Sequence, residues 1–237
     1  MSGKLKPSAV PSGRWSRMAR LGSLAGGVAG NMLAEGARQF AQGKRPKIND
    51  LLLTPANARR VTEQLAQLRG AAMKVGQLMS MDAGDLLPPE LAEILARLRA
   101  DASPMPMSQV VSVLNANWGE GWDRQFQQFS FTPVAAASIG QVHLGQTRDG
   151  QRLAIKIQYP GVRQSINSDV DNVATLLRLS GLLPKSLDIV PLMMEAKQQL
   201  HHEADYLREG AYMDQYGALL RHAGEFSLPQ MHTALTT

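Results

Sequence analysis

The sequence predicts an α+β protein, in which an α-helical extension precedes a small antiparallel sheet and further helices. Apolar residues recur at helical spacing over residues 61–79, which predicts an amphipathic helix. Two β-type runs, at 141–144 and 152–158, flank an Arg-Asp-Gly turn at 148–150, which is typical of a β-hairpin. Helical periodicity then returns from about residue 162. This order of elements defines the fold class.

Composition bounds the classes of function. The chain has 237 residues and no cysteine, which excludes a disulfide framework, cysteine-ligated zinc, an iron–sulfur cluster and a thiol nucleophile. No apolar run approaches the ~20 residues of a membrane-spanning helix, and no secretory signal pattern is present, so we expect a reducing interior compartment. The net charge is +5, and residues 1–50 carry nine basic and two acidic side chains. The basicity therefore belongs to the N-terminal arm.

The first predicted unit, residues 1–50, combines a basic arm with a glycine-rich amphipathic helix. Residues 1–20 fit contact with anionic phospholipid or nucleic acid, a solubilising tail or a transit peptide. Residues 21–41 place Gly22, Gly26 and Gly30 beside an apolar face. Because glycine destabilises an isolated helix, we expect a bilayer interface, the body of the protein or a second copy of this helix as its partner. The body lacks basic–aromatic interleaving, so nucleic-acid binding is not expected.

The second unit, residues 51–122, is predicted to be an α-helical extension. Helix starts are indicated by Thr54-Pro55, by Pro88-Pro89-Glu90 and by Ser108, because a capping side chain or an early proline is typical of a helix N-terminus. The last of these helices is expected to end near Trp118.

Two polar residues lie on the first helix of the extension. Lys74 and Gln77 are i, i+3 neighbours that face away from the apolar stripe, with Gly76 between them. A solvated polar face accounts for most such pairs. A glycine inside a helix, in contrast, usually has a packing or functional reason. The residues alone leave both interpretations open.

The third unit, residues 123–237, contains a lysine in an unusual place. Lys156 lies inside the apolar strand run 153–157, where a lysine is costly unless its ammonium group reaches a partner or a groove. In protein kinases the lysine of a Val-Ala-Ile-Lys strand holds the α- and β-phosphates of the nucleotide. An outward-facing edge lysine is the alternative.

A loop of small residues precedes this lysine by about twenty positions. Ala135, Ala136, Ala137 and Ser138 lie between two strands, where kinases place a Gly-rich loop whose backbone N–H groups approach phosphate. Alanine is the next smallest residue and is stiffer, so a phosphate loop here would have an altered geometry. By itself, an alanine-rich turn is a connection of no special function.

A last long helix is predicted from about Ile189 to His222. Its inner apolar stripe is expected to continue to Leu207 and Ala211, and Glu203 borders that stripe.

Carboxylates on the last helix indicate a nearby cation. Asp205 and Glu209 are spaced i, i+4, where like charges repel unless a cation lies close. Either Lys156 or Lys74, or a metal ion, would relieve this repulsion. No arrangement of histidines favours a zinc site.

Five segments in this order resemble the UbiB family, the AarF-domain atypical protein-kinase-like proteins linked to ubiquinone biosynthesis. The resemblance covers about residues 55–215 and is carried by residues 72–77 (the KxGQ motif), 85–90, 134–143, 154–162 and 203–209 (with the ExD motif).

The resemblance implies a kinase-like N-terminal lobe, a small antiparallel sheet with a C helix, preceded by the helical extension. It implies that Lys156 is the nucleotide lysine, that Glu209 is its partner on the C helix, and that 135–138 replaces the Gly-rich loop. Lys74, Gly76 and Gln77 would lie over the active site as a family-specific regulatory element. Glu203 and Asp205, the ExD motif, would meet that element.

It also implies ATP or ADP with Mg²⁺, and ATPase or unorthodox kinase (transferase) chemistry in ubiquinone biosynthesis. Lipid precursors, a membrane surface and quinone-biosynthesis proteins are the implied partners. The implied location is peripheral to the inner membrane on the cytoplasmic side in a bacterium, or mitochondrial in a eukaryote.

This chain departs from the family in the second lobe. A catalytic-loop Asp and Asn and a magnesium-binding Asp have no match in it, so we expect no catalytic residue and no metal ligand here, with the Mg²⁺ ligands mostly outside the chain. Whether the chain alone is an enzyme stays open. The alternative is a non-catalytic membrane- or partner-binding module from a truncated or degenerate gene.

Overall fold

The computed structural model describes residues 68–82, 104–180 and 187–237, together with positions 30, 34, 36–39, 41, 42, 65 and 183. The predictions for the basic arm, for most of the 21–41 helix, for the helix starts at Thr54 and Pro88 and for the 85–90 motif lie outside these residues. Within the 21–41 helix, positions 30, 34, 36–39 and 41 are helical, as expected.

Helices and strands of the described residues follow the predicted order. The helices are α1 (Arg69–Asp82), α2 (Met107–Trp118), α3 (Val162–Ser180), α4 (Val190–Glu203) and α5 (Tyr206–Leu219), and the strands are β1 (Phe126–Phe129), β2 (Ala135–Ala136), β3 (Gly140–Thr147) and β4 (Arg152–Gln158). Short 3₁₀ turns lie at Trp122–Gln125 and Thr233–Leu235. The α+β class is confirmed.

The sheet is antiparallel and is centred on β3. One side of β3 pairs with β4 over the whole hairpin, from Gly140 opposite Gln158 to Gln146 opposite Arg152. Its other side pairs with β2 near its start and with β1 near its end. The turn between β3 and β4 has Gly150 at φ 89°, a conformation that glycine adopts without strain. The predicted hairpin is therefore confirmed.

Two apolar cores hold these elements together. The first lies between α1, α3 and α4, whose contacting faces bury Val75, Val170 and Leu200 almost completely. The second lies on one face of the sheet, where α2 and the first 3₁₀ turn cover Ile155 and Ile157 of β4. Because successive residues of a strand face opposite sides, Lys156 lies on the face away from this second core.

The C-terminal helix differs from the prediction, because two helices replace the single helix expected from Ile189 to His222. The first ends at Glu203, and Asp205 begins the second by accepting a hydrogen bond from the Arg208 backbone N–H at 3.1 Å. A capping aspartate holds non-helical backbone, so the helix cannot run through it. As a consequence Leu207 and Ala211 are exposed rather than part of the inner stripe.

The starts of two further helices were predicted with different success. α3 begins at Val162, as expected, and ends at Ser180. α2 begins at Met107, one residue before the predicted cap Ser108, and Pro106 takes the capping position without a side-chain hydrogen bond. The backbone carbonyl of Pro106 accepts from two N–H groups of the first turn, so a proline start replaces the serine cap. No helix among the described residues is both long and apolar enough to cross a membrane.

Candidate functional site: a lysine face of the sheet

The strand register brings the alanine-rich segment and Lys156 onto one face of the sheet. Ala135 pairs with Val142, and Val142 pairs with Lys156. Directly opposed residues of antiparallel strands point to the same side, so these three side chains form one row across three strands. At about 4.8 Å per strand, the ends of that row lie roughly 10 Å apart. This is the relation that a phosphate loop and a phosphate-binding lysine would need.

Lys156 meets Glu209 of α5 above this row. Its Nζ atom lies 3.4 Å from Glu209 Oε2, and the two side chains are 33% and 44% exposed. An ion pair of this length and exposure is worth only about 0–1 kcal/mol. The geometry therefore holds the lysine near α5 without committing its ammonium group to one partner.

Tyr206, the first residue of α5, is the second neighbour of Lys156. Its ring centroid lies 4.8 Å from Lys156 Nζ, which is within cation–π range. Its hydroxyl is buried and has no hydrogen-bond partner among the described residues. Burial raises the pKa of the Tyr206 hydroxyl, Glu209 raises it further, and the approach of the Gln158 amide offsets part of that rise. Sequence analysis gave this tyrosine no role.

Glu203, at the end of α4, joins the helical extension to the alanine-rich loop. Its Oε1 atom accepts a 2.5 Å hydrogen bond from Lys74 Nζ, and its Oε2 atom accepts one from the Ser138 hydroxyl. The Lys74 and Glu203 side chains are 11% and 24% exposed. Residues from three distant parts of the sequence thus share one partly buried carboxylate.

The motif residues of α1 point in different directions. Lys74 is buried in the pair with Glu203, so it does not lie on a solvated face. Gly76 is also buried, and its carbonyl accepts from the Ser80 hydroxyl at 2.8 Å. Gln77, which was expected to share the environment of Lys74, is exposed. The solvated-face interpretation therefore fits Gln77 and not Lys74.

Asp205, the cap of α5, and Glu209 within that helix have separate partners. Asp205 caps the helix through its side chain, whereas Glu209 meets Lys156. Lys74, the other lysine considered as relief for this pair, meets Glu203. One of the two candidate lysines thus lies beside the Asp205 and Glu209 pair.

A close approach fixes α1 against the loop. A Cβ atom on Gly70 would lie 2.6 Å from the Ser138 carbonyl oxygen and 2.9 Å from Ile139 Cγ2. Real Cβ atoms do not come this near, so only glycine allows α1 to pack at this distance. At the downstream end of the alanine-rich loop, the Ser138 backbone packs against α1 and the Ser138 hydroxyl donates to Glu203.

A buried polar chain lies on the other face of the sheet, and sequence analysis missed it. The Gln141 side chain accepts from the Met105 backbone N–H at 2.7 Å and lies 2.8 Å from His143 Nε2. His143 Nδ1 lies 2.8 Å from the Ser130 carbonyl, which can only accept, so Nδ1 carries the proton. Burial lowers the pKa of His143. The pairing with β4 was the available signal, since Gln141 and His143 lie opposite the core residues Ile157 and Ile155.

The lysine face offers one cation beside a small-residue segment. Ala135 and Ala136 are exposed, and Ala137 and Ser138 are half-buried, so the backbone there is not covered by large side chains. Among the described residues no group of three histidine, aspartate or glutamate side chains could hold a metal ion. Chemically, the face combines a loosely paired ammonium group with backbone that large side chains leave uncovered.

Comparisons with known proteins point to one family. The model of the ABC1 atypical kinase-like domain matches residues 97–237. Atypical kinase COQ8, mitochondrial, from Saccharomyces cerevisiae is 41% identical over 98% of this chain, and atypical kinase COQ8B, mitochondrial, from Rattus norvegicus is 38% identical over the whole of this chain.

The chain spans about half the length of the curated relatives it matches, 46% of the yeast protein and 45% of the rat protein. Among solved structures, Rv3197 from Mycobacterium tuberculosis, solved in complex with erythromycin, is 32% identical. That match covers 74% of this chain and 45% of the Rv3197 chain, with a TM-score of 0.42.

Proposed function

Because this chain belongs to the ABC1 atypical kinase-like family, we propose that it is the nucleotide-binding N-terminal part of a kinase-like ATPase. In this proposal Lys156 binds the phosphates of ATP or ADP, Glu209 positions Lys156, and residues 135–138 approach the phosphates with their backbone. Lys74, Gly76, Gln77, Glu203 and Asp205 act as the regulatory element next to that loop.

The observation that carries the proposal is the placement of Lys156. Its ammonium group is partly exposed, meets a helix carboxylate at 3.4 Å and shares a row of the sheet with Ala135. A lysine kept only for packing would need neither an opposing carboxylate on a separate helix nor an open neighbour of small residues. In this proposal, phosphate is a second anion beside Glu209 for this loosely paired cation.

The described residues do not fit a magnesium site. Glu203 is engaged by Lys74 and Ser138, Glu209 by Lys156, and Asp205 by the start of α5. Magnesium needs near-octahedral oxygen ligands from carboxylates, water and phosphate. We therefore assign no Mg²⁺ ligand to these residues.

The test is ATP binding by titration calorimetry in the presence of Mg²⁺, with the full chain. A hydrogen bond from a charged group is worth about 1.5–3 kcal/mol, so Lys156→Ala should weaken binding by about 10–100-fold. Lys197→Ala is the matched control, because Lys197 pairs with Asp171 at 2.6 Å on a different pair of helices. Equal ATP affinity of the wild-type and Lys156→Ala chains would contradict the proposal.

Turnover is a separate question from binding. Since the chain has no match to the catalytic-loop residues of kinases, we expect phosphate release by the wild-type chain to equal that of Lys156→Ala. Release well above that control would show that residues of this chain suffice for hydrolysis.

The biological setting is also part of the proposal. We base the proposed role in ubiquinone biosynthesis on the family resemblance. The proposed lipid precursors, the quinone-biosynthesis partners and the location at the bacterial inner membrane or in mitochondria have the same basis. Membrane contact would use the basic arm and the helix with Gly22, Gly26 and Gly30, which would also be the contact of a homodimer. Co-sedimentation with anionic vesicles tests this, because removal of residues 1–41 should abolish binding. Retained binding would contradict the membrane role of that segment.

A non-catalytic partner-binding module is the second candidate function. One observation favours it: Tyr212, Tyr216 and Leu219 recur at i, i+4 and i+7 on α5, and all three are exposed. Exposed apolar groups of this kind often mark a surface that another chain or domain covers. ATP binding that depends on Lys156 would favour the first function. Failure of ATP binding in a folded chain would favour the second.

A further inference from the structure

Lys156 has two neighbours, the Glu209 carboxylate and the Tyr206 ring. The ring, which forms the weaker type of contact, is the better buried of the two. Glu209 offers a carboxylate at 3.4 Å that is 44% exposed, so water competes for the ammonium group. Tyr206 offers a ring face at 4.8 Å from the same atom. Cation–π attraction grows as the contact is desolvated, and burial is strong enough to raise the pKa of the tyrosine hydroxyl. The ring is thus a competent partner for the lysine.

The position of the ring is fixed by the helix start. Tyr206 is the first residue of α5, directly after the cap Asp205, whose side chain holds the Arg208 N–H. On the preceding turn, the carbonyl of Ala204 accepts a 2.7 Å hydrogen bond from Gln158 Nε2 of β4. That bond fastens the α4–α5 junction to the strand that carries Lys156. The Tyr206 backbone therefore cannot move away from β4 without breaking a strand-to-helix contact.

The hydroxyl does not explain the tyrosine. It is buried and makes no hydrogen bond of ordinary geometry among the described residues, and the nearby Gln158 amide offsets only part of the free-energy cost of burying it. Phenylalanine would avoid that cost and would keep the ring. The part of the side chain that makes a favourable contact here is the ring face.

We propose that Tyr206 is a positioning residue, whose ring face holds the Lys156 ammonium group above the row that ends at Ala135. In that position the ammonium group can meet a nucleotide phosphate, so the inference rests on the proposed function. Glu209 then orients the Lys156 ammonium group towards α5, and the Tyr206 ring restricts movement of that group into solvent.

The experiment measures the reactivity of one lysine. The full chain is treated with N-hydroxysuccinimidyl acetate, and acetylation of Lys156 relative to Lys197 is quantified by peptide mass spectrometry. Tyr206→Leu should raise this ratio by about two- to fivefold, the factor expected from losing one cation–π contact. Tyr206→Phe should keep the wild-type ratio. Tyr212→Leu is the matched control, because the Tyr212 ring lies over Arg208 instead.

A general loss of stability would not move this ratio, since it compares two lysines of the same folded chain. If Tyr206→Leu does not fold, Tyr206→Met provides a flexible apolar side chain without a ring. An unchanged ratio in the folded non-aromatic variant would overturn the proposal. A ratio raised as much by Tyr206→Phe as by Tyr206→Leu would also overturn it, because the hydroxyl would then be the contact.

ATP affinity separates this proposal from the proposed function. If the wild-type chain binds ATP, Tyr206→Leu should weaken that binding by about the same two- to fivefold, and Tyr206→Phe should not. If the wild-type chain binds no ATP, the proposed function fails. The acetylation ratios still decide, in that case, whether the ring holds the lysine.

Discussion

The pair between Lys74 and Glu203 provides the sharpest energetic test of how the extension meets the lobe. Lys74→Met keeps the length of the apolar stem and removes the ammonium group. It leaves the Glu203 carboxylate, 24% exposed, with the Ser138 hydroxyl as its remaining described partner. Removing one partner of a fully buried pair costs about 3–5 kcal/mol. The partial exposure of Glu203 and the retained hydroxyl reduce the expected loss to about 2–3 kcal/mol.

The assay is urea unfolding at 25 °C for a double-mutant cycle of Lys74→Met and Glu203→Gln. The coupling free energy should be about 1.5–3 kcal/mol, because each single change strands the other partner in a poorly solvated place. The melting temperature should fall by about 2–4 °C for each kcal/mol lost from the free energy of unfolding.

The chain offers a matched control pair for this cycle. Lys197 Nζ lies 2.6 Å from Asp171 Oδ1, nearly the same distance, but Asp171 is 63% exposed. Its cycle should give about 0.2–1 kcal/mol. Equal coupling in the two cycles would refute the reasoning, because burial would then add nothing to a contact of this length.

Three further outcomes follow from local geometry. Gly140→Ala should cost about 1–3 kcal/mol in urea unfolding, because a Cβ atom there would lie 2.3 Å from the Ile157 carbonyl oxygen; Gly224→Ala, in open space, should be neutral. Asp205→Ala should lower the free energy of unfolding by about 1 kcal/mol through the lost cap, and Asp205→Asn should not. NMR titration should find the pKa of His143 below its ordinary value, and stability should fall as the pH drops below about 6.5, because the unfolded chain then takes up a proton that the folded chain does not.

The elements that the sequence predicts correctly are those whose signals are local. The β3–β4 hairpin is set by a turn with Gly150 between two alternating runs, and α3 follows directly after Gly161. Both signals lie within a few residues of the structure they produce. The sheet register then follows from the turn, and it places Lys156 on the face away from the apolar core.

The C-terminal helix shows what periodicity cannot detect. A break of two residues at Ala204 and Asp205 leaves apolar residues at helical spacing on both sides, so the stripe continues in the sequence to Leu207 and Ala211. An aspartate is compatible with both a helix interior and a cap. The break is accompanied by a long-range contact that helical spacing does not reveal, because the Gln158 side chain, 46 residues earlier, donates to the Ala204 carbonyl.

The sequence identifies which residues are candidates for the site, but it does not show which of them contact one another. Lys74 lies 129 positions from Glu203, and Ser138 lies 65 positions from it, so no helical or strand spacing relates them. α1 is buried around most of its circumference because it packs against both α3 and α4. For this reason the buried surface of α1 is wider than the apolar stripe in its sequence, and the stripe does not predict the burial of Lys74.

The break between α4 and α5 gives one short segment two functions. Glu203, before the break, faces α1 and the end of the alanine-rich loop, whereas Tyr206 and Glu209, after it, face Lys156. A shift of this junction would therefore change the hold on the loop and the position of the lysine together. If ATP binds between the loop and the lysine, as we propose, the affinity for ATP must depend on the packing of α1 against the loop. By linkage, ATP must then stabilise the packing of α1 by the same free energy.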